Sequence, residues 1–235
     1  MTLEEQWKQY DAVARGRGKL LLRMLAQNKI ILKNKLILDV GCGTGQLGEA
    51  FAEAGNYVVS IDISSKNSHI ICDASCTPFK NHAFEIVLAI NFVEHVKNLN
   101  NLINEVRRVL KKGGGIIIQT PNRWFPIEPH YLLPFLSWLP HPIAKWYCKT
   151  FRRKNYDVHP MSRKDVLKKF RSFKLRLEQK VWYPSWVVSG KLRRTLYSRF
   201  QKAFPLISPS MLFFFTTDIN QNSTEVIRKS DQEKG

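Results

Sequence analysis

Leu38-Asp39-Val40-Gly41-Cys42-Gly43-Thr44-Gly45 is the stretch that decides the fold. The apolar run Leu36–Val40 ends abruptly in three alternating glycines, which reads as a buried parallel strand turning into a helix. Glycine permits the positive φ of a tight turn and lets a ligand touch the backbone. The spacing is GxGxG, which differs from the GxGxxG of dinucleotide binding, and no Gly-Lys-Ser/Thr follows to make a phosphate loop. Taken alone, such a triplet is equally a plain turn.

Downstream the pattern repeats. Gln46–Ala54 reads as a helix closed by Gly55. Tyr57–Ile61 is a strand ending at Asp62, Ile70–Cys72 a short strand ending at Asp73, and Phe84–Ile90 a fourth strand. Leu99–Leu110 has helical spacing, with Leu102, Ile103, Val106, Val109 and Leu110 inward and Gly113–Gly115 as its stop; Ile116–Thr120 is a fifth strand. Upstream, residues 3–28 read as one or two helices. Beyond lies an aromatic, proline-rich insertion, 121–159. Ser162 and Asp165 then form a capping-box pattern, and Phe173, Leu175 and Leu177 alternate as a strand. A second insertion, 182–209, holds the basic amphipathic segment Lys191–Phe204 and precedes a last apolar strand, Met211–Thr217. Alternating strands and helices predict a doubly wound, Rossmann-like α/β fold with a mostly parallel sheet. Residues 1–219 are expected to be one domain, and the polar tail 220–235 to be disordered.

In such a sheet, ligands bind at the carboxyl ends of the strands. Asp62 stands there, 23 residues after Asp39, where a carboxylate accepts ribose hydroxyls. Asp73 stands at the next strand end, placed for an adenine amino group, with Ile63 and Ala74 to sandwich the ring. With Ile37–Gly45, Val58–Ile63, Cys72–Phe79, Phe84–Val96 and Val106–Asn122 on the page, the first half of the chain resembles the class I methyltransferases. It is most similar to the broad group typified by ubiquinone- and menaquinone-pathway enzymes; LDVGCGTG, NFVEHV and RVLKKGGGIIIQTPN carry the likeness. The resemblance implies a seven-stranded sheet with its last strand antiparallel, and S-adenosylmethionine as cofactor. The cofactor set is then Asp39, Gly41, Cys42, Gly43, Gly45, Asp62, Ile63, Asp73, Ala74 and Asn91.

Methyl transfer from a sulfonium needs positioning and, for some acceptors, a base. Two segments at the same edge offer groups. After the fourth strand come Asn91, Glu94 and His95. Some quinone-pathway relatives hold a divalent metal here, but Asn91 occupies the place of the first carboxylate, so no metal is expected. The plainer role for Glu94 and His95 is to cap the following helix, with His95 kept as a candidate catalytic group. After the fifth strand, Asn122, Glu128, His130 and Tyr131 stand among aromatics. His130 is the candidate general base for a hydroxyl acceptor, with Glu128 beside it.

The net charge of +18 is concentrated in one segment. Residues 145–202 hold 18 Lys and Arg against 3 Asp and Glu, which points to an anionic partner. Tryptophan interleaved with lysine and arginine suits an anionic membrane surface. The leading expectation is a small-molecule or lipid acceptor, in a cytoplasmic protein peripheral to the inner membrane surface. Nucleic acid fits the charge less well, because no NPPY-type tetrapeptide follows the fourth strand. A non-catalytic cofactor-binding protein is the third reading. Cys42, Cys72, Cys76 and Cys148 form no CxxC pair and read as reduced thiols, and no signal peptide or run of about 18 apolar residues is present.

Overall fold

The computed structural model describes residues 3–64, 67–181 and 208–217. The helix read at Lys191–Phe204, most of the second insertion and the polar tail lie outside the described residues. The elements are α1 (Leu3–Gln27), β1 (Leu36–Val40), α2 (Gln46–Glu53), β2 (Tyr57–Asp62), β3 (Ile70–Ile71), β4 (Phe84–Ile90), α3 (Leu99–Val109), β5 (Leu110–Pro121), α4 (His141–Arg152), α5 (Arg163–Lys169), β6 (Lys174–Val181) and β7 (Ser210–Thr216).

The seven strands run in the order β3-β2-β1-β4-β5-β7-β6. The first five are parallel, and β7 is antiparallel to both its neighbours, as the resemblance implied. Strand β1 is apolar except at Asp39, because both of its faces are covered. Leu38 and Val40 pack on the side of α3 and α5, while Ile37 packs with Leu21, Leu25 and Phe51 on the side of α1 and α2. The order reverses between β1 and β4, so a crevice opens beside their carboxyl ends.

Two boundaries differ from the sequence reading. The third helix stops one residue earlier, at Val109. Leu110 is already extended (φ −74°, ψ 135°) and begins β5, with its side chain buried against Phe84 and Ile116 in the α3-side core. The glycines that follow are therefore no helix stop. Residues 111–114 bulge out of register, pairing resuming at Gly115 opposite Ile86. A Cβ on Gly115 would stand 2.4 Å from the Phe214 ring, so glycine is what lets β5 and β7 meet.

The first insertion, read only as aromatic and proline-rich, contains α4. A small core of its own holds it: Leu133, Leu136, Ala144, Cys148, Tyr156 and Val158. Asn122 ties its start to the sheet, its backbone N–H donating to Pro209 O and its side chain to Ser208 O. The Ser162–Asp165 capping box forms as expected and opens α5. Among the described residues, no helix is long and apolar enough to cross a membrane.

Candidate active site

The turn after β1 takes left-handed backbone at Gly41 (φ 68°), Gly43 (φ 55°) and Gly45 (φ 81°). Their reasons differ. A side chain on Gly41 would run into the Phe92 ring at 2.1 Å, so Gly41 is fixed by packing as well as by φ. A Cβ on Gly43 would meet nothing within 4 Å, which is the open cradle a ligand needs. Asp62, at the end of β2, reaches across to accept a hydrogen bond from the Gly43 N–H at 3.0 Å and one from the Ser64 N–H at 3.0 Å. Those bonds lock the loop and aim the carboxylate along the crevice.

A cavity of about 590 Å³ follows this edge, lined by Gly41, Asp62, Ile63, Asp73, Ala74, Asn91 and His95 from the sequence reading. Ala74 is buried as one wall and Ile63 stands exposed at the rim. Asp39, Cys42 and Gly43 join Gly41 and Asn91 in a smaller adjoining cavity. Gly45 does not reach either; it starts α2 and faces a separate hollow on the outer side. Its left-handed φ of 81° serves the turn.

Asp39 is buried, with Oδ2 unpartnered among the described residues. Burial first, then the negative charge of Asp62, pushes its carboxyl up to about 7. The same burial, with Asp39 and Asp62 behind it, pushes the Cys42 thiol up to about 12, so Cys42 is no nucleophile at neutral pH. The sequence reading missed the far wall: Phe92, Val96, Lys97, Asn98 and Asn101, with Ala14 and Arg17 of α1 reaching the smaller cavity. It also missed the brace beneath Asp73. Arg108 donates to Glu105, Phe79 O and Thr77 O, and Glu105 accepts from the Thr77 N–H, pinning the loop that carries Asp73. These contacts hold Glu105 down at about 2, the Arg108 hydrogen bond being the largest cause.

The candidate catalytic residues come together from two elements. Glu94 sits in a 3₁₀ turn, Val93–His95, after β4, and is fully buried. It does not cap α3; Asn98 does, accepting from the Asn101 N–H. Instead Glu94 accepts from Thr120 Oγ1 at 3.1 Å, and its Oε1 lies 3.9 Å from His130 Nε2. Burial pushes it up to about 7. His95 lies edge-on to His130, ring centroids 5.2 Å apart. Burial, then the His130 charge, lowers its pKa. His130 Nδ1 bonds Glu128 Oε1 at 2.7 Å, and Glu128 is itself buried, also accepting from the Tyr131 N–H. Burial alone would lower the His130 pKa, but the Glu128 hydrogen bond and the Glu128 and Glu94 charges outweigh it and raise it. Tyr131, by contrast, donates to Asn155 O and Asp157 and is spent on structure.

The donor atoms of Glu94, His95 and His130 all lie within 4.8 Å of one another. With Glu94 Oε1 unpartnered among the described residues, this set fits a divalent cation in residue type. Glu128 would orient one of its imidazoles. His130, contributed by the insertion, supplies a donor that Asn91 lacks.

A mostly parallel sheet with a glycine-rich first turn, acidic strand ends and an open cradle is an α/β arrangement with room for a ligand at its carboxyl edge. Residues 38–118 match the family model described as methyltransferase domain. The chain is 34% identical over 127 residues to a ubiquinone biosynthesis O-methyltransferase of Bradyrhizobium sp. (strain ORS 278), covering 47% of this chain and 50% of the relative. It is 31% identical over 137 residues to one of Azoarcus sp. (strain BH72), covering 49% and 59%. The chain thus spans about half the length of the curated relatives it matches. A Pyrococcus horikoshii OT3 protein superposes with TM-score 0.58 at 21% identity, covering 86% of this chain and 91% of that one. An S-adenosylmethionine-dependent methyltransferase of Mesorhizobium loti superposes with TM-score 0.55 at 14% identity, covering 78% and 91%. The cyclase SpnF also shares the fold, with TM-score 0.56 at 15% identity over 85% of this chain and 81% of its own, so the fold alone does not fix the reaction.

Proposed function

We propose that the protein transfers a methyl group from S-adenosylmethionine to a hydroxyl of a small apolar or lipid-like acceptor. The observation that carries this is the His130–Glu128 pair beside the cofactor cavity. Glu128 takes the proton side of Nδ1, which leaves the Nε2 lone pair free to accept a proton. His95, which lines the cavity, packs against the same imidazole. The cofactor supplies the electrophilic methyl carbon and the sulfonium charge. Gly43 leaves room for it, Asp62 presents oxygens to its ribose, and Ala74 and Ile63 flank its base. His130 takes the hydroxyl proton as the oxygen gains the methyl group, and the buried neighbours Glu94 and Glu128 stabilise the resulting imidazolium. Were a divalent cation held by Glu94, His95 and His130 instead, the Nε2 lone pair would be its ligand rather than a base, and the ion would supply Lewis-acid polarisation of the hydroxyl.

The curated relatives are named for O-methylation, which supports an oxygen acceptor. Exposed Trp124, Phe135, Trp138, Trp146 and Phe151 on the insertion, among Lys145, Lys149, Arg152 and Arg153, support an apolar acceptor met at an anionic membrane surface. Metabolite and lipid profiling with labelled S-adenosylmethionine, with and without the protein, tests the reaction. A labelled ether product is expected. Label only on nitrogen or carbon, or on no product at all, contradicts it.

A further inference from the structure

Behind the candidate base lies a second cavity, of about 290 Å³, open to solvent and lined by Arg123, Ser137, His141, Tyr156 and His159 with four apolar residues. Among the described residues, no carboxylate lines it. Glu128 is hydrogen-bonded to His130 and the Tyr131 N–H, Asp157 to Tyr131, and Asp165 sits in the Ser162 capping box, where it still feels the Arg123 charge. Arg123 lines it, and its Nε is buried with no hydrogen-bond partner among the described residues. A guanidinium beside a cavity whose described lining holds no carboxylate suits an anion. His141 and His159 meet edge-on with centroids 5.3 Å apart. Burial, then the positive Lys145 and His159, lowers the His141 pKa. Burial pushes the Tyr156 hydroxyl up to about 12, so it stays a donor. The amino end of α4 adds its dipole, since Pro140 and His141 line the cavity and Pro140, the N-cap, has no side chain to bond the free N–H groups.

The rim is apolar. Trp124 follows Arg123 in the chain, with the guanidinium carbon 5.9 Å from its ring, and Trp138 follows Ser137. Trp124, Trp138 and Phe135 form one exposed cluster, with centroids 6.4 and 4.8 Å apart along it. The cavity adjoins the catalytic groups through backbone: the His159 N–H donates to Glu94 O at 2.8 Å.

We propose that this cavity binds the phosphate-ester group of an amphiphilic molecule, with Arg123, His141, His159 and Tyr156 on the oxyanion and the aromatic rim against the hydrophobe. Binding stands on these residues alone; its meaning as an acceptor subsite rests on the methyl-transfer reading. The test is a histidine-ring NMR titration of the whole chain with inorganic phosphate and with hexyl phosphate, assigned through His141→Gln and His159→Gln. Calorimetry with S-adenosylhomocysteine on the same samples reports the cofactor cavity separately. The expected result is saturable shifts of His141 and His159 with both ligands, tighter for hexyl phosphate. Arg123→Gln should weaken both by about tenfold, the loss of one charge-assisted hydrogen bond, with S-adenosylhomocysteine affinity unchanged. Co-sedimentation with phosphatidate vesicles identifies the source of the ester. Binding that Arg123→Gln weakens assigns the site to a lipid headgroup, and its absence alongside hexyl phosphate binding assigns it to a soluble ester. No saturable shift with either phosphate, or wild-type phosphate binding in both Arg123→Gln and His159→Gln, overturns the proposal, whatever the cofactor cavity does.

Discussion

The edge built by β1, β2 and β4 and the insertion leaving β5 each supply half of the candidate active site, by different means. At the edge, each cofactor-facing group is placed by its own strand end, so position along the chain almost dictates position in space. Asp62 meets Gly43 because β2 pairs with β1 in parallel register. In the insertion, placement comes from a separate small core and from hydrogen bonds between residues distant in sequence, such as Tyr131 with Asn155 and Asp157. Local rules therefore read the first region well and the second only in composition.

Separating the two halves experimentally sharpens this contrast. The largest effect is expected from His130→Ala, which removes the base while leaving the cofactor cavity intact. Turnover should fall by about a hundredfold or more, with unchanged affinity for S-adenosylhomocysteine. Steady-state kinetics beside calorimetry reads both; a loss of cofactor affinity instead would show that the halves are not separable. If His130 acts as base rather than as a metal ligand, prior chelation should leave that wild-type rate unchanged.

Next in size is the brace on the cofactor side. Glu105→Gln breaks the charge-assisted contacts to Arg108 and Thr77 and should cost on the order of 1–3 kcal/mol in urea unfolding. The folded-state pKa is depressed to about 2, so this stabilisation is present above the ordinary carboxylate value of 4.5 and is lost as pH falls through about 2. The wild-type minus Glu105→Gln stability difference should therefore shrink in acid. A difference independent of pH would remove the brace from the account.

The smallest effect concerns tuning. His130 works as a base when neutral, and its pKa is raised, so turnover should rise with pH through a midpoint above 6.5. Glu128→Gln removes the main raising influence and should move that midpoint down, leaving the plateau rate at high pH comparatively little changed. A midpoint that does not move would assign the limb to another group, Glu94 being the nearest titrating one.

These contrasts also mark what was legible in the chain. The strand ends, the glycine turn and the α5 cap follow from period and turn chemistry, and the family likeness implied seven strands with the last antiparallel. Phe92 as the reason for Gly41, and Asn98 rather than Glu94 as the cap of α3, follow from packing that period does not encode. The helix α4 was hidden by its flanking prolines and by a polar-apolar pattern whose buried side is only Ala144 and Cys148. His130 was legible as a residue type, but its contact with Glu94, on another element, was not.

The central claim is that the cavity beside Gly43 and Asp62 binds S-adenosylmethionine. Calorimetric titration of S-adenosylhomocysteine into the wild type, Asp62→Ala and Gly43→Val tests it most directly. The wild type should bind one equivalent. Asp62→Ala should lose about 1–3 kcal/mol of binding free energy through the unpaired ribose hydroxyls, and Gly43→Val should lose more, because its side chain fills the open cradle. Equal affinity in all three proteins, each with its fold retained, would contradict the assignment.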